Sequence, residues 1–387
     1  MNVLIVGAGI YVCGGKTEGY GTVLPTIIQM QKEGKVKEIH IASTKKDTVD
    51  ICKLKKDKLD ILLDYRSNIS FYPKNEKMDK IAFLKALQII EKPVCAIIVV
   101  PDHMHYSITD QIMDLGVHCM VVKPFTQTTD EALKLISKAE KSNVWNGVEF
   151  HKRFDKANQL LKKIIKEKKI GDILYFLVEY SQRRVVPMEH FSDWALKTNV
   201  FQYLGVHYAD ILYYLTEALP KRVSATGQMQ YLSGQGLNTY DSIQASIEWQ
   251  YDDGNTFQSI ISTNWIDTNN STALSDQKIK VIGTEGRCES DQKDRGIKLI
   301  TKSSAEDVNP YFSTLYLNRK GKYRIDGYGP DSIRQFIADT EKHSIGEQVE
   351  TVAASFSDSL ASVAITESVN KSLRNDSEWV QIDRTIF

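Results

Sequence analysis

The chain has 387 residues, and its 49 basic and 49 acidic side chains give a formal net charge of zero at pH 7. Charged residues make up 25% and hydrophobic residues 42% of the sequence, as in ordinary globular proteins, and the length predicts roughly two domains. Because binding to nucleic acids or anionic membranes needs clustered Lys and Arg, the balanced charge argues against both kinds of partner.

The cysteines and the apolar runs bear on the cellular compartment. The five cysteines are scattered and include no CxxC pair, which predicts reduced thiols in a cytoplasmic protein. Residues 1–7 contain no basic region, and their apolar run is too short for a signal peptide, so we expect none. No run of about 18 apolar residues occurs, so we also expect no membrane span.

Residues 1–150 alternate between the patterns of buried strands and of amphipathic helices. The predicted strands cover residues 3–6, 38–42, 94–100 and 117–122, and the predicted helices cover residues 22–32, 107–115 and 129–141. Apolar strands that alternate with helices are typical of βαβ units, which build a parallel sheet covered on both faces.

Beyond residue 150 the strands are longer and several alternate in polarity. They are predicted at residues 173–180, 223–231, 242–249, 257–265 and 278–283, with helices at 155–168, 200–215, 331–338 and 355–373. This pattern favours a large, mostly antiparallel open sheet with one face on a helical layer. No linker separates the two patterns, so we expect domains at residues 1–150 and 151–387.

Gly7 and Gly9 follow the first strand directly. Glycines there allow the backbone to approach a diphosphate at the next helix amino terminus, as in a Rossmann dinucleotide-binding fold. The pair alone is a weak signal, because any tight turn between a strand and a helix uses glycine. Val12 stands where the third glycine is usual, which predicts an insertion at residues 11–20.

The insertion has two interpretations. Its glycines and Lys16 favour a mobile segment that folds over a ligand and brings a charge to a phosphate, whereas the alternative is a surface loop that points away. A nucleoside-triphosphate loop at residues 15–17 is disfavoured, because Ile10 occupies the position of its first glycine and no magnesium motif follows.

The second strand is followed by Ser43, Thr44 and Lys45, with no carboxylate until Asp47. Dinucleotide-binding folds often carry an acidic residue there, which binds the ribose 2′-hydroxyl. Hydroxyls and an ammonium group suit a 2′-phosphate better, so the sequence favours NADP over NAD. The alternative is a polar turn without a ligand.

Two further strand ends carry candidate residues, Val100-Pro101 with His105 and Lys123-Pro124. A metal at the histidines is disfavoured because no partner carboxylate or HExxH pattern accompanies them, and a structural role is favoured. Ligands bind beyond the carboxyl ends of parallel strands, where a lysine could approach a bound nicotinamide and act as an acid or base. The alternative for the lysine is a surface position before a turn.

A predicted helix carries Tyr203, His207, Asp210 and Tyr214 at spacings that share one face. A histidine with a neighbouring acid is a usual proton-transfer pair. A structural histidine is the alternative interpretation.

Together these motifs resemble the Gfo/Idh/MocA family of glucose–fructose oxidoreductase, inositol dehydrogenase and rhizopine-catabolism proteins. The matching segments cover residues 1–9, 99–105, 115–124, 150–154, 205–210 and 282–286. The resemblance implies an enzyme that transfers hydride between NAD(P) and a carbinol or ketone of a sugar, cyclitol or nucleotide-sugar. It also implies a homodimer or homotetramer, since the family's carboxyl-terminal sheets commonly pair face to face.

The resemblance carries site roles onto particular residues. It implies catalytic roles for Lys123 and His207, and we also expect one for Tyr203. We expect cofactor contacts for Gly7, Gly9, Ile10, Ser43, Thr44, Lys45, Val100, Pro101, His105, Lys123 and Pro124. We expect substrate contacts for Lys123, Arg153, Trp194, Tyr203 and His207, and no metal.

Some residues depart from the family pattern. Val122 replaces the glutamate before the motif lysine, and Tyr203 stands where many members carry aspartate, which could shift the base role to the tyrosine. Ala195 follows Trp194 where some sugar-binding members have arginine. The departures keep one alternative open, a non-catalytic relative that senses a sugar or a cofactor.

Overall fold

The computed structural model describes residues 1–191 and 194–387. Within them the chain forms two compact units, each built from separate segments. The first comprises Met1–Phe125, Leu133–Phe154 and Tyr311–Phe356, and the second comprises Thr126–Ala132, Asp155–Pro310 and Ser357–Phe387. A domain boundary at residue 150 stays a prediction.

The elements are numbered in chain order. The strands are β1 (Asn2–Val6), β2 (Ile39–Ala42), β3 (Ile69–Tyr72), β4 (Val94–Ile98), β5 (His118–Val122), β6 (Asn146–Glu149), β7 (Ile173–Arg183), β8 (Leu219–Gln228), β9 (Ser242–Gln250), β10 (Thr256–Asp267), β11 (Ser275–Gly283), β12 (Arg287–Asp291), β13 (Ile297–Ile300), β14 (Ala305–Val308), β15 (Thr314–Leu317), β16 (Tyr323–Asp326) and β17 (Val380–Gln381). The helices are α1 (Ile10–Cys13), α2 (Val23–Lys32), α3 (Lys46–Leu62), α4 (Ala82–Leu87), α5 (His105–Asp114), α6 (Thr129–Lys141), α7 (Lys156–Lys166), α8 (Val206–Thr216), α9 (Tyr231–Gly234), α10 (Tyr328–Ser344) and α11 (Leu360–Arg374).

The first unit is built on a sheet with the strand order β3–β2–β1–β4–β5–β6, in which every neighbouring pair is parallel. This order is that of a Rossmann fold, so the predicted amino-terminal fold is confirmed. The connections of β1 and β4 leave in opposite directions, and ligands bind in such sheets beyond the carboxyl ends of the strands at this point.

A late segment of the chain completes the first unit. Ile333, Phe336 and Ile337 of α10 share a buried core with Val3 and Ile5 of β1. The amide of Val148 in β6 donates to the carbonyl oxygen of Ala354 at 2.8 Å. Long-range packing of this kind leaves no local signal in the sequence.

The second unit is built on a sheet with the order β12–β11–β7–β10–β9–β8–β17, in which only β7 and β10 pair in parallel. The predicted mostly antiparallel sheet is therefore confirmed. One face buries Trp249 and Trp265 in a core shared with α8 and α11. The opposite face leaves Tyr175, Leu177 and Ile260 between 39% and 44% exposed, as expected of an open sheet.

Several elements differ from the predicted pattern, and β3, α3 and α4 were not predicted. The strand predicted to reach residue 231 ends at Gln228, because the carboxylate of Asp241 accepts backbone hydrogen bonds from residues 230–232 and turns the chain into α9. The helix predicted at 200–215 begins with a π-helical segment, Phe201–Gly205, before α8. Within the described part of the chain, no helix is both long and apolar enough to cross a membrane.

Candidate active site

The turn after β1 has the geometry that close approach of a ligand needs. Gly7 has φ +114°, and a Cβ there would lie 1.9 Å from the carbonyl oxygen of Val99, so only glycine fits. A Cβ on Gly9 would meet nothing within 4 Å, so open space adjoins this backbone. Ile10 begins α1 immediately afterwards. The turn therefore fits the diphosphate of a dinucleotide.

Of the predicted insertion, residues 11–13 belong to α1, and the loop between α1 and α2 covers residues 14–22. Its mobility stays a hypothesis, and hydrogen bonds connect part of it to α3. The ammonium of Lys55 on α3 donates to the carbonyl oxygens of Thr17 and Gly19, the latter at 2.7 Å. Lys16 is exposed, and its contact with a phosphate stays a hypothesis.

The proposed ribose-binding residues lie at the carboxyl end of β2. The amide of Ser43 donates to the carbonyl oxygen of Tyr72, and the carbonyl oxygen of Thr44 accepts from the amide of Asp79. Lys45 precedes α3 and is exposed. The backbone here is fixed by neighbouring chain, while a lysine side chain stays accessible to a ligand.

His105 connects the ends of two strands. Its buried ring lies with Nε2 2.9 Å from the carbonyl oxygen of Val100 and Nδ1 2.6 Å from that of Pro124. Burial lowers the pKa of His105, and the hydrogen bonds to the two carbonyl oxygens act in the opposite direction. The histidine thus links the chain after β4 to the chain after β5, and Pro101 stands exposed beside it.

Lys123 follows β5 at the same edge of the sheet. Burial lowers the pKa of Lys123 to about 7, and the negative charges of Glu149 and Asp102 act in the opposite direction. An amine with this pKa exists in both protonation states near neutral pH, which suits a general acid or base. The sequence analysis assigned no role to either carboxylate, although Asp102 lies within the matching segment 99–105.

The second unit holds an aromatic cluster around the other predicted residues. The ring of Tyr203 meets those of Trp194 and Phe191 edge-on, with centroids 5.5 and 5.2 Å apart. His207, in the first turn of α8, lies with its ring 6.2 Å from that of Tyr180. Sequence reasoning missed Tyr180 and Phe191. Neither residue lies on the predicted helix that carries Tyr203, so helical spacing could not identify them.

Only three of the four residues that were predicted to share one helix face lie in α8. His207, Asp210 and Tyr214 lie within α8 and are buried, but Tyr203 belongs to the preceding π-helical segment. Burial and the charge of Tyr180 raise the pKa of Tyr203, which holds its phenol in the protonated form. This shift opposes a role for Tyr203 as a base.

The remaining predicted site residue belongs to the first unit. Arg153 lies buried in the turn His151–Phe154 of the first unit. Across residues 1–191 and 194–387, no group of three or more His, Cys, Asp or Glu side chains is arranged to hold a metal ion.

Comparison with known protein families decides the assignment. Residues 1–150 match the oxidoreductase family with a NAD-binding Rossmann fold, GFO_IDH_MocA, and residues 158–289 match the GFO/IDH/MocA carboxyl-terminal domain. The chain belongs to the Gfo/Idh/MocA family. The family predicted from the sequence motifs is thereby confirmed.

Two curated relatives are similar to parts of this chain. The UDP-N-acetylglucosamine 3-dehydrogenase of Acidithiobacillus ferrooxidans is 32% identical over 34% of this chain and 38% of its own length. The scyllo-inositol 2-dehydrogenase (NADP(+)) IolW of Bacillus subtilis is 29% identical over 37% of this chain and 40% of its own. These alignments span less than half the length of either relative.

A solved structure supports the fold over almost the whole chain. The scyllo-inositol dehydrogenase of Lactobacillus casei, with bound NAD(H) and scyllo-inositol, superposes with a TM-score of 0.64. The match covers 98% of both chains at 15% sequence identity, which shows the common fold and no more.

Proposed function

We propose that this protein is an NAD(P)-dependent dehydrogenase that transfers hydride between nicotinamide and a carbinol or ketone carbon of a sugar, cyclitol or nucleotide-sugar. The observation that carries the proposal is Lys123, an amine with a pKa of about 7 at the carboxyl edge of a Rossmann sheet. Family membership and the names of the similar dehydrogenases support the substrate class.

The proposed chemistry assigns proton transfer to Lys123. The nicotinamide ring, when bound, accepts or supplies the hydride. As hydride leaves the carbinol carbon, the neutral amine of Lys123 takes the hydroxyl proton, and in the reverse direction the ammonium returns it. The turn at Gly7 and Gly9 would hold the diphosphate, while His105 keeps the chain after β4 and β5 in place. Ile10, Val100, Pro101 and Pro124 line the same proposed cofactor site.

The other predicted residues are assigned to the substrate. We propose that His207 assists proton transfer and that Arg153 and Trp194 contact the substrate. Tyr203 keeps its place among these contacts, but its raised pKa favours an aromatic wall over a base. A protonated phenol can still donate a hydrogen bond to a substrate hydroxyl.

A preference for NADP over NAD is also proposed. Ser43, Thr44 and the exposed Lys45 follow β2 without a carboxylate that would repel a 2′-phosphate. The Bacillus subtilis relative named above carries NADP(+) in its name, which supports this choice.

The open sheet face and the thiols support two further assignments. The exposed Tyr175, Leu177 and Ile260 form an apolar area on the second unit, and we propose that it pairs between copies in a homodimer or homotetramer. All five cysteines are free of disulfides, which fits a reducing compartment, and we propose the cytoplasm.

A direct assay tests the activity. The purified protein is mixed with NADP or NAD and with inositols or UDP-N-acetylglucosamine, and absorbance at the reduced-nicotinamide band is followed. Turnover that is lost in Lys123→Ala and kept in Lys80→Ala, a change of an exposed lysine, supports the proposal. Binding of cofactor and sugar without turnover would instead favour the non-catalytic sensor.

A further inference from the structure

A buried carboxylate lies beside the lysine that we assign to proton transfer. Glu149 ends β6, and in the parallel pair of β5 and β6 its register partner is Val122, the residue immediately before Lys123. The side chain of Glu149 is only 2% exposed. Its charge acts on Lys123 together with that of Asp102, and both stabilise the ammonium form against desolvation.

Three side chains hold this carboxylate in place. The hydroxyl of Tyr11 donates to Oε1 of Glu149 at 2.9 Å, and that of Ser332 donates to the same oxygen at 2.8 Å. Nδ1 of His151 lies 3.0 Å from Oε1 and 3.1 Å from Oε2. Desolvation and the charge of Glu149 raise the pKa of Tyr11, so the phenol keeps its proton and remains a donor.

The partners come from separate parts of the first unit. Tyr11 belongs to α1, directly after the proposed diphosphate turn, and Ser332 belongs to α10. The ring of His151 stacks with those of Tyr11 and Tyr328, at centroid distances of 6.2 and 5.7 Å. A carboxylate with this many fixed neighbours has little rotational freedom, so its charge stays at a constant position relative to β5.

We propose that Glu149 is the positioning residue for Lys123: its fixed carboxylate, on the strand next to β5, favours the ammonium form of the lysine over the neutral amine. This inference rests on the dehydrogenase function proposed above. Glu149 thereby supplies, from the neighbouring strand, the negative charge that Val122 lacks. A lysine desolvated without a nearby carboxylate would stay neutral at physiological pH and could not return a proton to a ketone.

The first test needs no substrate. Lysines are labelled competitively with trace acetic anhydride over a series of pH values, and the peptide containing Lys123 is quantified by mass spectrometry against exposed Lys80. Only the neutral amine reacts, so the extent of labelling rises with pH. The labelling midpoint, the pH at which Lys123 is labelled at half its maximal rate, therefore reports the pKa of Lys123. In Glu149→Gln we expect the midpoint to fall by about one pH unit, roughly a tenfold change in proton affinity. An unchanged midpoint would overturn the inference.

Two matched variants separate charge from general disruption. Glu149→Asp keeps the carboxylate, so its midpoint should stay closer to that of the wild type than to that of Glu149→Gln. Glu248→Gln removes another buried carboxylate, one that pairs with Lys221 and Arg222 in the second unit, and should leave the midpoint unchanged. An equal shift in Glu248→Gln would contradict the specific link. Should Glu149→Gln not fold by circular dichroism, Glu149→Ala gives the same readout with the same expected shift.

The second test uses turnover and distinguishes the two proposals. With an active substrate, the pH at which kcat for alcohol oxidation inflects should fall in Glu149→Gln together with the labelling midpoint. A moved midpoint with an unmoved kcat profile would overturn the positioning role. If the labelling midpoint moves but the wild type turns over no candidate substrate, the proposed function fails while the electrostatic link between Glu149 and Lys123 holds.

Discussion

The two units of the molecule surround their candidate residues with different chemistry. In the first unit Lys123 lies near the carboxylates of Glu149 and Asp102, whereas in the second Tyr203 lies among the rings of Trp194 and Phe191. Burial acts on both, because it disfavours whichever form is charged. It brings the pKa of the lysine towards neutral pH and moves that of the tyrosine away from it. Burial alone therefore makes a lysine a better proton-transfer group and a tyrosine a worse one.

The strongest test of this contrast removes the amine. We expect Lys123→Ala to lower kcat by roughly 10²-fold or more, the usual contribution of a general acid or base. The half-buried side chain contributes little to the core, so the melting temperature should stay near that of the wild type. Steady-state kinetics and thermal melting measure both quantities. A variant with near-normal kcat would remove Lys123 from the mechanism.

The hydrogen bonds between Lys55 and the inserted loop, both in the first unit, can be tested by their effect on the stability of the protein. Lys55 is buried, and its ammonium donates to two loop carbonyl oxygens, so Lys55→Met leaves both without that donor. We expect the free energy of unfolding to fall by about 2 kcal/mol, as for a lost hydrogen bond to a charged group. Urea denaturation measures it, with the exposed Lys58→Met on the same helix as control. Equal stability of both variants would mean that the loop is not held by these contacts.

The pKa of Lys123 predicts opposite pH dependences for the two reaction directions. Oxidation of the alcohol needs the neutral amine, so kcat should fall by about tenfold per pH unit below pH 7 and level off above it. Reduction of the ketone needs the ammonium and should decline as pH rises past the same point. Rate profiles in both directions measure this. A profile without an inflection near pH 7 would assign the proton transfer to another group.

The relative binding of NADP and NAD tests the residues that follow β2. Lys45→Ala should weaken NADP binding about tenfold, roughly 1.4 kcal/mol, because it removes the cation that we propose for the 2′-phosphate. Binding of NAD, which lacks that phosphate, should stay the same. Calorimetry with both cofactors measures the difference, and Lys80→Ala serves as the control. Equal or tighter binding of NAD by the wild-type protein would overturn the preference.

The sequence predicted those parts of the fold that have a local pattern. The apolar strand before Gly7 and the strand before Lys123 were predicted because parallel strands are apolar throughout. Helix α3 was missed, since only a narrow stripe of it is buried and that stripe includes Lys55. The network around Glu149 had no sequence signal, because its donors lie up to 183 positions away from it. Motifs identify residues that bind common ligands, but they do not identify the neighbours that tune them.

The smallest expected effect concerns Tyr203 in the second unit. Tyr203→Phe keeps the ring and its contacts with Trp194 and Phe191 and removes only the hydroxyl. Because burial raises the pKa of Tyr203, its phenol is disfavoured as the base. We expect kcat to change by less than about threefold, well below the 10²-fold contribution of a general base, with the inflection near pH 7 retained. A loss of kcat as large as that of Lys123→Ala, measured in the same assay, would instead give the base role to the tyrosine.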